Sequence, residues 1–458
     1  MKFLIRIAIT LILGGLLVLP VVHSQTRPGS GTRPPVTPAG RLEDIEVFRD
    51  EFLSQEISYT AEARAEAERR LATLESQVDT ISDPEFELEL ARIVALADNG
   101  HTHYVSHSIS RYYNRVPIRL GVFGEDFYVL RAMESDADLL GARLIAIDGH
   151  DIVSLRNATR QLWGGLNTWR DRFAFDYLES PELLNAMHLA AAPAAAVYRF
   201  ETPGGDPIER TLTGEAPGNM RPFSTPAQTL FPERLPLEDD RWRTALAFEN
   251  APWSLRDSPI PFRWRRDEAT QSIVIELRRN VDGNGFQIKD ALKTFESAIR
   301  TEKPVNLIVD MRVNDGGDLT TTRAFMESLA ELVPGRVFLL TSPMTFSAAI
   351  SSVAFAKQAA PDRVTIVGES VGDRLMFFAE GDGIDLPNTR AMIGPGTERH
   401  DYVGGCRDYD DCERAVVRNR ISVASVEPDL AAPWTIEAYL AGRDPAMDAI
   451  AATLRTDQ

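Results

Sequence analysis

The sequence predicts an α/β protein: a strand-and-helix C-terminal half preceded by a helical segment and a β-rich segment. Three observations carry this. From about Pro259 onward, short apolar runs alternate with helical patterns, the grammar of βα units on a mostly parallel sheet. Between Arg41 and Ala97, apolar residues recur at helical spacing. Between Pro117 and Leu212, strand-length runs are punctuated by Asp148-Gly149 and Gly204-Gly205 turns. At 458 residues the chain is too long for one ordinary core, so two or three domains are expected.

The hydrophobic share of 44% and the charged share of 25% are those of a soluble globular protein. A net charge of −18 and a pI near 5.0 exclude nucleic acid and anionic membrane surfaces as main partners, because both demand basic patches. Solubility is the plain meaning of that charge.

Met1-Lys2-Phe3-Leu4-Ile5-Arg6 opens with positive charge, Ile7 to Val22 is apolar, and Val22-x-Ser24 supplies small residues for a signal peptidase. Residues 1–24 are therefore read as a signal peptide cleaved after Ser24, placing the protein in the periplasm or outside the cell. Uncleaved, the segment gives loose membrane association. Residues 25–40, rich in Pro, Gly, Thr and Arg, read as a disordered linker.

An N-terminal helical domain is expected over 41–112. Its first helix buries Ile45, Phe48, Phe52 and Leu53, and its second runs from Ala61 to Val78. The third starts at the capping box Ser82-Asp-Pro-Glu85, buries Phe86, Leu90, Ile93 and Val94, and ends in a left-handed cap at Asn99-Gly100. His101 follows that end directly. Over 113–215, strands are expected at Ile118–Phe123, Phe127–Arg131, Ala142–Ile147, Val197–Phe200 and Glu209–Leu212, with a helix at Ile152–Leu162. Residues 216–258 are Pro-rich and read as a linker or strap. Over 259–458, strands at Ser272–Leu277, Val305–Met311, Val337–Leu340 and Val364–Val367 alternate with helices at Ile288–Ile299, Leu319–Leu332 and after Ser347. Loops at the C-terminal ends of these strands build the site. Cys406 and Cys412, close together in a polar loop, predict a local disulfide in an oxidising compartment rather than a metal site.

Two loops carry chemistry. Asn314, Gly316 and Gly317 leave backbone N–H groups free to turn outward, and Ser347 stands at the mouth of the next helix. A nucleophile beside an anion-stabilising loop is the minimum apparatus for acyl transfer. The competing roles are a helix N-cap for Ser347 and a tight turn for the glycines. Ser342, Ser351 and Ser352 are nearby rivals. His101-x-His103 lacks a third zinc ligand and no phosphate-cradling loop is present, so neither metal nor cofactor is expected.

Four ordered segments then resemble a known family. They are Asp310-Met-Arg312-Val-Asn314-Asp-Gly-Gly317, Thr345-Phe-Ser347-Ala-Ala, Val367-Gly-Glu369-Ser-Val-Gly372, and Val426-Glu-Pro428-Asp429 with Tyr439-Leu-Ala-Gly442-Arg-Asp444. Together they are similar to the catalytic domain of the S41 serine peptidases, the C-terminal processing and tricorn-type proteases. Leu140-Gly-Ala-Arg-Leu-Ile-Ala-Ile-Asp-Gly149 is similar to a PDZ domain, although its peptide-carboxylate loop is not evident around Leu120-Gly121. The resemblance implies a ClpP/crotonase-like catalytic domain behind a helical and a PDZ-like α+β domain. It further implies a serine endopeptidase acting on peptides or unfolded protein tails through a Ser347 acyl-enzyme, with the N–H groups of Gly317 and Ala348 as oxyanion hole and no cofactor.

The activating base is the open point. Where one branch carries a Lys, this chain reads Gly372-Asp373-Arg374, and Arg stays protonated; Lys357 lies too far along the nucleophile's helix. The tricorn-like branch brings a His in a motif similar to Asp98-Asn-Gly100-His101-Thr102, so the resemblance assigns His101, with His400 as its rival and His103 and His107 as unmatched neighbours. Ser422 stands where that branch has an orienting Glu; Glu369 and Asp98 are the alternatives. A second reading is a catalytically impaired protein of the same fold that binds peptides or small hydrophobic ligands.

Overall fold

The computed structural model describes residues 34–104, 112–215, 226–235, 238–283, 285–407 and 412–456. The expected signal peptide, most of the expected linker, His107 and part of the 216–258 strap lie outside them. No helix among the described residues is long and apolar enough to cross a membrane.

Helix formation begins three residues before Arg41. Thr37 accepts the Gly40 N–H at 3.1 Å and Pro38 takes a first-turn place, where its missing N–H costs nothing, opening a helix over Pro38–Val47. Helices Ala61–Ser76 and Asp83–Ala95 follow, the latter with the expected Ser82–Glu85 capping box. The left-handed residue beyond it is Asp98, with φ +48°, rather than Asn99 or Gly100. An antiparallel sheet then runs in the order Ile118–Phe123, Asp126–Met133, Arg143–Ile147, Ala195–Glu201, Pro207–Thr213. Helices Asn167–Phe173 and Pro181–Ala186, unmarked in the sequence reading, lie between its third and fourth strands. The N-terminal helices and this sheet share one apolar cluster, including Ile45, Phe52, Leu90, Leu120 and Tyr198. The Leu120 N–H is occupied: it donates at 2.7 Å to the buried Glu179 carboxylate, which also faces Arg115 at 2.6 Å.

The C-terminal half holds a six-stranded sheet in the order Leu430–Ala431, Val364–Gly368, Val337–Thr341, Asn306–Asp310, Ser272–Leu277, Phe262–Asp267. Every neighbouring pair is parallel except the last. The inner strands Ser272–Leu277, Asn306–Asp310 and Val337–Thr341 are apolar along most of their length because both faces are covered, whereas the edge strand Phe262–Asp267 carries Arg263, Arg265 and Arg266. Ile273, Ile275, Leu307, Val309, Val337 and Leu339 meet helices Ile288–Glu302, Arg323–Leu332 and Ala348–Ala359. Their alternates Val274, Ile308, Phe338 and Leu340 meet Ala446 and Ile450 of the final helix Pro445–Thr456.

The strap is tied down. Arg131, 1% exposed, donates to Glu238 through Nε at 2.8 Å and to the carbonyl of Phe231 at 2.8 Å. Cys406 and Cys412 are joined in a disulfide within the core of the C-terminal half. The two halves are also stitched by strand pairing, since His103–Tyr104 lies antiparallel to Met392–Gly394.

Candidate active site

Ser347 ends the turn between strand Val337–Thr341 and helix Ala348–Ala359. Its backbone sits at φ +55°, ψ −129°, and its side chain caps no helical N–H. A non-glycine residue held there stores strain, which surrounding bonds must impose. They are present. Thr345 donates its hydroxyl to the Met311 carbonyl at 2.9 Å, Ser342 donates to the Arg312 carbonyl at 2.5 Å, and the Phe346 N–H reaches the Asn314 carbonyl at 3.0 Å. The rival serines are engaged elsewhere: Ser351 with the Tyr402 hydroxyl at 2.6 Å, Ser352 with the Ala348 carbonyl at 3.0 Å.

The glycine turn abuts this serine. Gly316 has φ +103°, and a Cβ placed on it would stand 2.5 Å from Ser347 Cβ and 2.9 Å from the Ala348 nitrogen. Gly317, φ +128°, is pressed against Asn280, whose carbonyl would lie 2.6 Å from an added Cβ. No side chain fits at either place. Asn314 shapes the turn by accepting the Gly316 N–H at 2.9 Å and donating to Asn280 at 2.9 Å. Asn280 in turn donates to the Ala348 carbonyl at 3.1 Å, fixing the glycine turn to the first residue of the serine helix. The Ala348 N–H, first in that helix, has no partner within it.

His101 comes to this turn from the N-terminal half. Its ring lies between Phe346, at 4.3 Å between centroids, and Phe377, at 4.6 Å and 7°. Its Nδ1 is 3.3 Å from Asp373 Oδ2; the carboxylate side chain is 1% exposed and the imidazole 14%. Neither ring nitrogen makes a hydrogen bond with a described residue, Ser347 included. The loop is held by Asn99, which accepts the Phe378 N–H at 3.1 Å and donates to the Phe378 carbonyl at 2.7 Å, as a strand neighbour would. Thr102 donates to the Glu56 carboxylate at 2.7 Å, which also receives the Gly396 N–H at 2.6 Å.

The group in contact with His101 is Asp373 rather than Asp98, Ser422 or Glu369. Asp98 is on the surface, paired with Arg170 and, at 2.9 Å, with Arg374. Ser422 is exposed and donates to the Val403 carbonyl at 3.3 Å. Glu369 accepts the Trp434 N–H at 3.4 Å. Asp373 occupies the place where one branch of the family the motifs resemble carries a Lys, and nothing local in the sequence links it to His101. His400 stacks on the far face of Phe377, its nitrogens engaged by Tyr402 at 3.0 Å and Glu380 at 3.1 Å. The His400 hydrogen bond holds the Glu380 carboxyl below its ordinary range, against the effect of burial. His103 is pushed down to about 4 by burial, so it is neutral near pH 7, with Nδ1 2.6 Å from the His101 carbonyl. Among the described residues no His, Cys, Asp or Glu cluster could hold a metal ion.

Comparison with solved structures finds this fold in mature CPAF, 12% identical over 92% of this chain and 98% of that one, with a TM-score of 0.56. Mature CPAF complexed with lactacystin matches over the same shares at 12% identity and a TM-score of 0.51. The photosystem II D1 C-terminal processing protease matches at 11% identity over 91% and 97% of the two chains, with a TM-score of 0.39. No protein-family model matches the sequence, and no curated protein matches it. At this identity the likeness is one of fold: the chain shares the fold of mature CPAF.

Proposed function

We propose that the chain is an exported serine peptidase. Ser347 attacks the peptide carbonyl; His101 takes its proton and returns it to the leaving amine. Asp373 holds the imidazole and stabilises its protonated form, while the N–H groups of Gly317 and Ala348 receive the oxyanion. The observation that carries this reading is the His101 ring, clamped by Phe346 beside the serine, with buried Asp373 at its Nδ1. A Ser347 whose side chain caps no N–H at a strained helix mouth fits a nucleophile better than a helix cap. The His101 Nε2, without a hydrogen-bond partner among the described residues, suits a base whose hydrogen bond tightens when substrate binds. Peptides and unfolded protein tails are the substrates this reading implies, and residues 1–24 are its export signal.

The test is covalent labelling with a serine-directed fluorophosphonate, together with cleavage of unfolded casein. Wild-type protein should label and cut, and Ser347→Ala should do neither, with turnover down on the order of 10⁶-fold. Labelling of both proteins, or of neither, overturns the assignment.

A further inference from the structure

The loop that carries His101 is gripped from the surface as well as from within. Asp98, three residues before the imidazole, holds the left-handed conformation that turns the chain out of helix Asp83–Ala95. Arg374 reaches it with both arms of its guanidinium: Nη1 donates to the Asp98 carbonyl at 2.7 Å and Nη2 to Asp98 Oδ2 at 2.9 Å. Asp98 Oδ1 accepts from Arg170 of helix Asn167–Phe173, whose Trp169 stacks on Phe346 at 3.7 Å and 3°. One residue therefore joins three elements: the His101 loop, the loop after strand Val364–Gly368, and the helix packed on the serine turn.

Arg374 follows Asp373 directly, and the two act on opposite ends of residues 98–101. Asp373 Oδ2 meets the His101 ring at 3.3 Å, while its Oδ1 accepts the Arg374 N–H at 2.9 Å. Between these grips the backbone lies close on the acid, since a Cβ on Gly100 would stand 2.8 Å from Asp373 Oδ2. A displacement at the Asp98 end is therefore passed along a short, crowded segment to the ring. An isolated exposed ion pair adds little to stability, and the Asp98 and Arg374 side chains are 54% and 42% exposed. A planar fork that binds a backbone carbonyl and a carboxylate together fixes direction instead, which is what a loop bearing a base requires.

Resting on the serine-peptidase reading, we propose that Arg374, helped by Arg170, is a positioning residue for the base: it holds Asp98 so that residues 98–101 present the imidazole to Asp373 and Ser347. It touches neither substrate nor the reacting atoms. Where one branch of the family the motifs resemble carries a Lys base, this chain then carries two side chains that hold a base brought from elsewhere.

Wild type, Arg374→Met, Arg374→Lys, Asp98→Asn and the double variant Arg374→Met/Asp98→Asn are compared by steady-state cleavage of one fluorogenic peptide. Expressing kcat per serine that fluorophosphonate labels at completion removes unfolded protein from the comparison. Arg374→Met should lower kcat by about tenfold while KM stays within about twofold. Asp98→Asn keeps a residue that tolerates the left-handed turn, removes the charge, and should lose a similar factor. Arg374→Lys keeps the charge without the fork and should recover part of the loss. The double variant should fall no more than about twofold below the slower single variant, because both substitutions break the same contact. The proposal is overturned if Arg374→Met keeps kcat within about twofold, if its loss lies in KM, if Arg374→Lys recovers nothing, or if the two single losses multiply to about a hundredfold. If wild type neither labels nor cuts, the peptidase reading fails by itself. The His101 ring-nitrogen NMR shifts in Ser347→Ala, measured above neutrality, then decide the clamp, because they report which nitrogen carries the proton. A single tautomer that becomes mixed in Ser347→Ala/Arg374→Met upholds it, and unchanged shifts refute it.

Discussion

At the scale of residues, the proposed proton transfer depends on one contact, His101 Nδ1 to Asp373 Oδ2 at 3.3 Å. A buried carboxylate beside an imidazole selects the tautomer with its proton on Nδ1, leaving Nε2 as the acceptor. Asp373→Asn keeps the shape and removes that preference. It is expected to lower kcat by about 10²–10⁴-fold with little change in KM, measured by steady-state cleavage of a peptide substrate. Unchanged kcat would make Asp373 a structural acid only. The ring stack on either side of His101 gives the imidazole few other orientations. His103, with its pKa near 4, does not compete as a base at neutral pH.

At the scale of elements, the His101 loop is a backbone held against backbone. A Cβ on Gly164 would stand 2.5 Å from the Asn99 carbonyl oxygen and 2.7 Å from the Asn99 nitrogen, while Gly165, φ +87°, lies against Gly100. Gly164→Ala must therefore push the Asn99–His101 segment away from strand Met376–Glu380. The expected result is a loss of about 1–3 kcal/mol in stability and about 10²-fold in kcat/KM, read by denaturant melts and peptide cleavage. This is also where legibility divides. The parallel strands were visible as apolar runs because a sheet covered on both faces needs no polar alternation, as in Asn306–Asp310. Ser347 and the Gly316-Gly317 turn were visible because strand, turn and helix follow within a few residues. Asp373, the Asn280–Asn314 clamp and the Gly164–Asn99 contact were not, since each joins residues far apart in the chain with no local periodicity. Helix Asn167–Phe173 was missed for a related reason: its inward face is made of Trp169 and the charged Asp171 and Arg172, not of aliphatic residues.

At the scale of the whole molecule, the site exists only when the two halves are assembled. Ser347 and Asp373 belong to the parallel-sheet half, while His101 belongs to the helical half and is held across the junction by Asn99 and by the pairing of His103–Tyr104 with Met392–Gly394. Arg312 reinforces the other side by binding Asp310 and Asp444 together, and the Asp444 carboxyl is held low because Arg312 outweighs the effect of burial. The proposed site, divided in this way, predicts that Ser347 cannot act as a nucleophile without the distant half. The most direct test is the rate of fluorophosphonate labelling of Ser347 in His101→Ala, compared with His400→Ala and wild type at neutral pH. The account predicts loss of labelling by about 10³-fold or more in His101→Ala and a rate near wild type in His400→Ala. Normal labelling in His101→Ala, with loss in His400→Ala, would contradict it and place the base inside the parallel-sheet half.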